Sequence, residues 1–131
     1  AEITALAAAA SGRACGIAFV PHSGPFARGI HATVQAKLKQ PLDTAAAIAA
    51  LRKFYAGRPF VRVLDEPPRM KDVVTSNYAH LSAVADGHSI VVMSVIDNLV
   101  KGAAGGAMQW MNRLLGFDET EGLTAPAPGW T

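Results

Sequence analysis

Two stretches of this 131-residue sequence hold side chains whose types and spacing can do chemistry. The first is Pro21-His22-Ser23-Gly24-Pro25-Phe26-Ala27-Arg28-Gly29. An imidazole takes and gives protons near neutral pH, and a guanidinium grips a carboxylate or phosphate at two points. Two prolines and two glycines within nine residues make a shaped loop, in which a tight turn can bring His22 and Arg28 to one side. The competing reading of His22 is a loop histidine bonded to backbone.

The second stretch runs from Ile96 through Asp97-Asn98-Leu99-Val100-Lys101-Gly102-Ala103-Ala104-Gly105-Gly106 into Met108-Gln109-Trp110-Met111-Asn112. A β-branched strand, Ser89 to Ile96, enters it, and Asp97 or Asn98 can cap the helix that follows. Glycine in a helix interior costs about 1 kcal/mol against alanine. Glycines at 102, 105 and 106 therefore ask for close approach, either of other protein or of a ligand at the helix start, where unpaired N–H groups favour an anion or a carboxamide. The apolar positions Val100, Ala103, Ala104, Ala107, Met108, Met111, Leu114 and Leu115 share one helical face, which predicts that this helix packs through it.

The elements that must position these groups follow from pattern. Glu2 to Ala10 is an alanine-rich helix ended by Ser11-Gly12, and Ala14 to Val20 reads as a strand. From Ile30 to Leu38 apolar and polar residues alternate, as in a half-buried antiparallel strand. Asp43 or Thr44 caps a helix with the stripe Ala47, Ile48, Leu51, Phe54, Tyr55, ended by Gly57. Phe60 to Leu64 is a short strand, Asp65 to Met70 a proline-bearing connection, and the chain returns to the sheet from Val73. Tyr78 to Ala85 and Ser89 to Ile96 flank Asp86-Gly87-His88, a tight hairpin signal. A polar Asp118 to Glu121 segment and a proline-rich tail ending in Trp130 follow. This order argues for an α+β domain spanning 1–131, a mostly antiparallel or mixed sheet with helices on one face.

Composition sets bounds. Half the residues are hydrophobic, enough for a core at this length, and apolar runs break well before the roughly 18 residues of a membrane helix. The chain thus reads as soluble, without a membrane span or secretory signal. Twelve basic and ten acidic residues form no run resembling a nucleic-acid patch. The lone Cys15 excludes an internal disulfide and fits a reducing, cytoplasmic compartment; in its strand-like setting it reads as a small buried hydrophobe, not a nucleophile. His31, His80 and His88 lack metal-ligand spacing, and Asp118, Glu119 and Glu121 lack the form of a calcium loop, so no metal is expected. No phosphate-binding loop, dinucleotide fingerprint or serine elbow is present.

Three pieces resemble the C-terminal domain of the N-acetyl-γ-glutamyl-phosphate reductases: Phe19 to His22 through Pro25 to Arg28-Gly29-Ile30-His31-Ala32-Thr33; Phe60 to Val63 with Ser76-Asn77; and Ile96 to Gly105 with Gln109, Asn112, Gly116 and Glu119 to Leu123. The last is the most specific, although aspartate-semialdehyde dehydrogenases share its Asp-Asn-Leu and Lys-Gly-Ala-Ala portions. Aminoadipyl-phosphate reductases are similar as well. The resemblance implies a fold like the second domain of glyceraldehyde-3-phosphate dehydrogenases. It also implies NADPH-dependent reduction of N-acetylglutamyl phosphate to its semialdehyde in arginine biosynthesis, through a thioester on a cysteine.

In that family the cysteine and the NADP-binding fingerprint belong to an N-terminal Rossmann domain, so this chain alone is expected to be inactive and to work as part of a homo-oligomer, dimer or tetramer. Carried over by position, His22 is the substrate-site histidine and Glu2 the glutamate paired with the catalytic cysteine. Arg28 is available to the anionic substrate. Asn98 faces the nicotinamide, with Lys101 and Gly102 beside the cofactor. Gly106 stands where the family commonly has glutamine. A reading of another class is a dimerisation module with no catalytic task.

Overall fold

A computed structural model describes residues 2–129; Ala1, Trp130 and Thr131, and with them the ends of the leading fragment and the tail, lie outside the described residues. The elements are α1 (Glu2–Ser11), β1 (Ile30–Lys37), α2 (Thr44–Phe54), β2 (Val61–Val63), β3 (Ala79–Asp86), β4 (Ser89–Ile96) and α3 (Gly105–Leu115). The strands form one mixed sheet in the order β1-β4-β3-β2, so the α+β expectation holds.

The hairpin is its spine. β3 and β4 pair antiparallel from Ala79↔Ile96 to Asp86↔Ser89, and Gly87 takes the positive φ of 57° that a two-residue hairpin turn needs. β1 pairs antiparallel with β4 over its whole length, Ile30↔Ile96 to Lys37↔Ser89, while β2 adds three parallel pairs to β3.

Helix α2 covers this sheet from the β3 side. Asp43 is its cap, accepting from the Ala46 N–H at 2.7 Å, and its Ala47 and Ile48 are buried. Ala47, Ala83 and Ala85 form the centre of a cluster joined by Leu42, Leu51, Ile90 and Val92. β4 pairs with Ala85 on one side, but on the other the short β2 does not reach it, and the Thr44 hydroxyl bonds both its N–H (3.0 Å) and its carbonyl (3.1 Å).

Four expectations change. Ala14 to Val20 is not a strand: it runs irregular and largely exposed, because among the described residues no neighbouring edge supplies the hydrogen bonds its sequence is suited to make. Val73 does not return to the sheet; Val73 and Val74 are buried in the turn that leads into β3. β1 is antiparallel, but all eight of its residues are exposed rather than half-buried, since it lies at the sheet edge away from α2. The apolar face of α3 does not pack: Met108, Met111, Leu114 and Leu115 are exposed, Leu114 at 80 %, and the buried residues of that helix are Gly105 and Asn112. Periodicity records that a face is apolar, not what covers it. Among the described residues no helix is long and apolar enough to cross a membrane.

Candidate functional site

The end of β4 carries the most connected polar residue of the structure. Asp97 has no exposed surface. Its Oδ1 accepts the N–H groups of Leu99 (2.8 Å) and Val100 (2.7 Å), which makes it, rather than Asn98, the cap of the following turn. Oδ2 accepts the Thr75 N–H at 2.6 Å, and Thr75 sits at φ 63°, a left-handed conformation rare for a β-branched residue. Arg28 completes the set: its Nη2 donates to Oδ1 at 2.8 Å and its Nε lies 2.7 Å from Oδ2. Burial alone would raise the Asp97 carboxyl; the Arg28 hydrogen bond and the three backbone N–H groups outweigh it and hold it at about 2.

Asn98, relieved of capping, is gripped from the other side. The Gly29 N–H donates to its Oδ1 at 2.7 Å, which orients the amide with its NH2 away from that contact. Gly29 has φ 117°, and a β-carbon there would run into the Met70 side chain.

Past Asn98 the chain makes one π-helical turn, Val100–Ala104, before α3. Its bonds span five residues, Gly102 N–H to Asp97 carbonyl (2.9 Å) and Ala104 N–H to Leu99 carbonyl (3.0 Å), a widening often found at functional sites. Lys101 folds inward: Nζ donates to Gln109 Oε1 at 2.6 Å and stands 5.3 Å from the Phe60 ring centre. Burial pulls its ammonium below the ordinary value, opposed by Glu119. An open pocket of about 290 Å³ lies beside it, lined by Lys101, Gly106, Gln109, Trp110 and Arg113. Gly102 is exposed.

The glycine question divides by position. Gly105 is a packing glycine: a β-carbon there would stand 2.6 Å from Asn77 Oδ1 and 2.8 Å from Val100 Cγ1. Asn77 is 1 % exposed and donates to Gln109 Oε1, so it cannot swing aside. Gly105→Ala in the full-length protein is expected to lose about 1–3 kcal/mol to overpacking, more than the ~1 kcal/mol that alanine restores in helix propensity. Thermal denaturation checks this, and a raised Tm would overturn it.

His22 lies in the exposed loop, its Nδ1 donating to the Val20 carbonyl at 3.1 Å. It lines a second open pocket of about 290 Å³ with Ser23, Gly24, Phe26, Gly29, Ile30 and His31. Arg28 is not among the lining residues: the loop turns it to Asp97 instead of toward His22. Glu2 stands exposed in the first turn of α1, a helix with no buried residue. Cys15 is half-buried against Ser11, its Sγ 3.5 Å from the hydroxyl. Sequence reading missed Asp97 as more than a cap and His31 as a pocket residue; neither has a local signal, since their partners are long-range.

Residues 1–98, the whole sheet through Asn98, match the family model described as semialdehyde dehydrogenase, dimerisation domain. The chain belongs to that family. Within the semialdehyde dehydrogenase dimerisation domains, it is 44 % identical over 127 residues to an N-acetyl-gamma-glutamyl-phosphate reductase of Bradyrhizobium sp. (strain ORS 278), covering 95 % of this chain and 38 % of that protein. A protein of the same name from Symbiobacterium thermophilum is 46 % identical over 122 residues, 90 % of this chain and 35 % of the relative. One from Dehalococcoides mccartyi (strain CBDB1) is 45 % identical over 113 residues, 85 % and 33 %. The chain thus spans about a third of the length of the curated relatives it matches.

Proposed function

We propose that this dimerisation domain supplies half of the active site of an NADPH-dependent N-acetylglutamyl-phosphate reductase, the other half coming from an N-terminal Rossmann domain that carries the cysteine nucleophile. One observation carries the reading. Gly29 lines the His22 pocket and also donates its N–H to Asn98, so a proton-transferring imidazole and an oriented carboxamide adjoin across a single residue.

The cofactor fits what the Asn98 turn offers. With Oδ1 taken by Gly29, the Asn98 NH2 is left to donate to a carboxamide oxygen, and among the described residues it takes no partner. Lys101 and Gly102 form the same edge. NADPH supplies a hydride; the work of this chain is orientation and proton control. With Nδ1 fixed on Val20, Nε2 of His22 is the atom that exchanges a proton with substrate, and when protonated it stabilises negative charge growing on a carbonyl oxygen. Overall an acyl phosphate, a hydride and a proton become an aldehyde and inorganic phosphate. In this reading Glu2, at the start of α1, is the glutamate that pairs with the cysteine of the other domain. The exposed apolar face of α3 and the uncovered β1 are the surfaces available to that domain and to a second copy.

The test is an assay of the full-length protein, following NADP-dependent, phosphate-dependent oxidation of N-acetylglutamate semialdehyde. We expect kcat/KM for it to exceed those for aspartate and aminoadipate semialdehydes by about 100-fold or more. A preference for either competitor would reassign the substrate, and no turnover of any of them in a folded, assembled protein would favour the non-catalytic module.

A further inference from the structure

The pairing of Arg28 leads away from the role its sequence match implies. Its Nε and Nη2 face one carboxylate at 2.7 and 2.8 Å, and that carboxylate is wholly buried. Arg28 and Asp97 together are neutral, which removes most of the pull a lone guanidinium exerts on a substrate anion. Arg28 also does not line the His22 pocket.

What the pair does instead is set register. Two consecutive residues before β1, Arg28 and Gly29, hold two consecutive residues after β4, Asp97 and Asn98. The first ladder pair of β1 with β4, Ile30↔Ile96, lies immediately beyond. The loop ahead of Arg28 is exposed from Pro21 to Ala27, with a backbone bond from Phe26 N–H to the Gly24 carbonyl, 2.9 Å, inside it. Gly29 is thus anchored by the ladder on one side and by the Arg28–Asp97 pair on the other. The Gly29 N–H to Asn98 Oδ1 bond sits between these two anchors, and without the pair only the ladder side would hold it.

We propose that Arg28 is a positioning residue: through Asp97 it keeps the Gly29 N–H on the Asn98 carboxamide, and it is not a clamp for the anionic substrate. This rests on the reading of Asn98 as the group that faces the nicotinamide.

A double-mutant cycle in the full-length enzyme tests it, using Arg28→Gln, Asn98→Ala and the pair. Arg28→Gln is expected to lower kcat roughly 10- to 100-fold, the scale of a small misplacement of a reacting group, with KM for the acyl phosphate within about twofold. In the Asn98→Ala background the same change should alter kcat by less than about twofold, since the group it acts through is gone. A rise of about tenfold or more in acyl-phosphate KM in both backgrounds would make Arg28 a substrate clamp and overturn the proposal. So would effects on kcat that multiply fully, as a general structural role requires. If Asn98→Ala alone leaves kcat unchanged, it is the reading of Asn98 that fails, and the proposal with it. Should Arg28→Gln not fold, Arg28→Lys keeps the charge without the two-point geometry and runs through the same cycle.

Discussion

Asp97→Ala is expected to destabilise the full-length protein by about 3–5 kcal/mol at neutral pH, the cost of removing one partner from a buried ion pair. The substitution leaves three backbone N–H groups, of Thr75, Leu99 and Val100, without their acceptor and strips Arg28 of its counter-charge. Arg28 keeps 27 % of its side chain in water, which places the loss toward the lower end of that range. Thr75 adds to it, because its left-handed backbone is held by the same carboxylate.

Acid separates this contribution from ordinary packing. In the folded chain Asp97 is held at about 2, below an unfolded value near 3.8. Its folded pKa is depressed, so its stabilisation is complete above about pH 4 and is lost as the pH falls through 2, roughly 2 kcal/mol across that window. Denaturant titrations of wild type and variant at pH 7, 4 and 2.5 check both parts. The gap between the two proteins should narrow below pH 4; a gap of constant size would show that the carboxylate's charge is not what stabilises the turn.

What the sequence made legible, and what it did not, divides along the range of the interactions. The hairpin was readable because its strands are adjacent and Gly87 supplies a local turn. So was α2, where Asp43 and the Ala47, Ile48, Leu51 stripe lie within a few turns of each other. The link between Arg28 and Asp97 crosses 69 residues and was not readable. Both residues were singled out, one as an anion clamp and one as a helix cap, yet nothing local says that each is the other's partner. Gly105 shows the same limit, since its crowding was legible but the crowding group, Asn77, was not. Ala14 to Val20 and the α3 stripe fail for a different reason. Their composition asks for a neighbour, and among the described residues most of their large apolar side chains stay exposed. In a domain that spans about a third of its relatives' length, these apolar faces stand open to solvent.

If the proposed function holds, His22→Ala in the full-length protein is expected to lower kcat by roughly 10²–10⁴-fold, the range for removing a general acid–base, with stability changed by no more than about 0.5 kcal/mol. The second half of that expectation follows from exposure: the ring covers no core, and its bond to the structure is the one Nδ1 makes to the Val20 carbonyl at 3.1 Å. That same bond allows a sharper test. Asparagine can replace the Nδ1 donor while offering nothing in the place of Nε2, so His22→Asn keeps the loop's internal contact and deletes only the proton-transferring atom. If Nε2 carries the chemistry, His22→Asn should be about as slow as His22→Ala, with the oligomer intact by sedimentation. If the imidazole only shapes the loop, asparagine should restore turnover to within a fewfold of wild type, and the pocket beside Gly29 would owe its histidine to folding rather than to proton transfer.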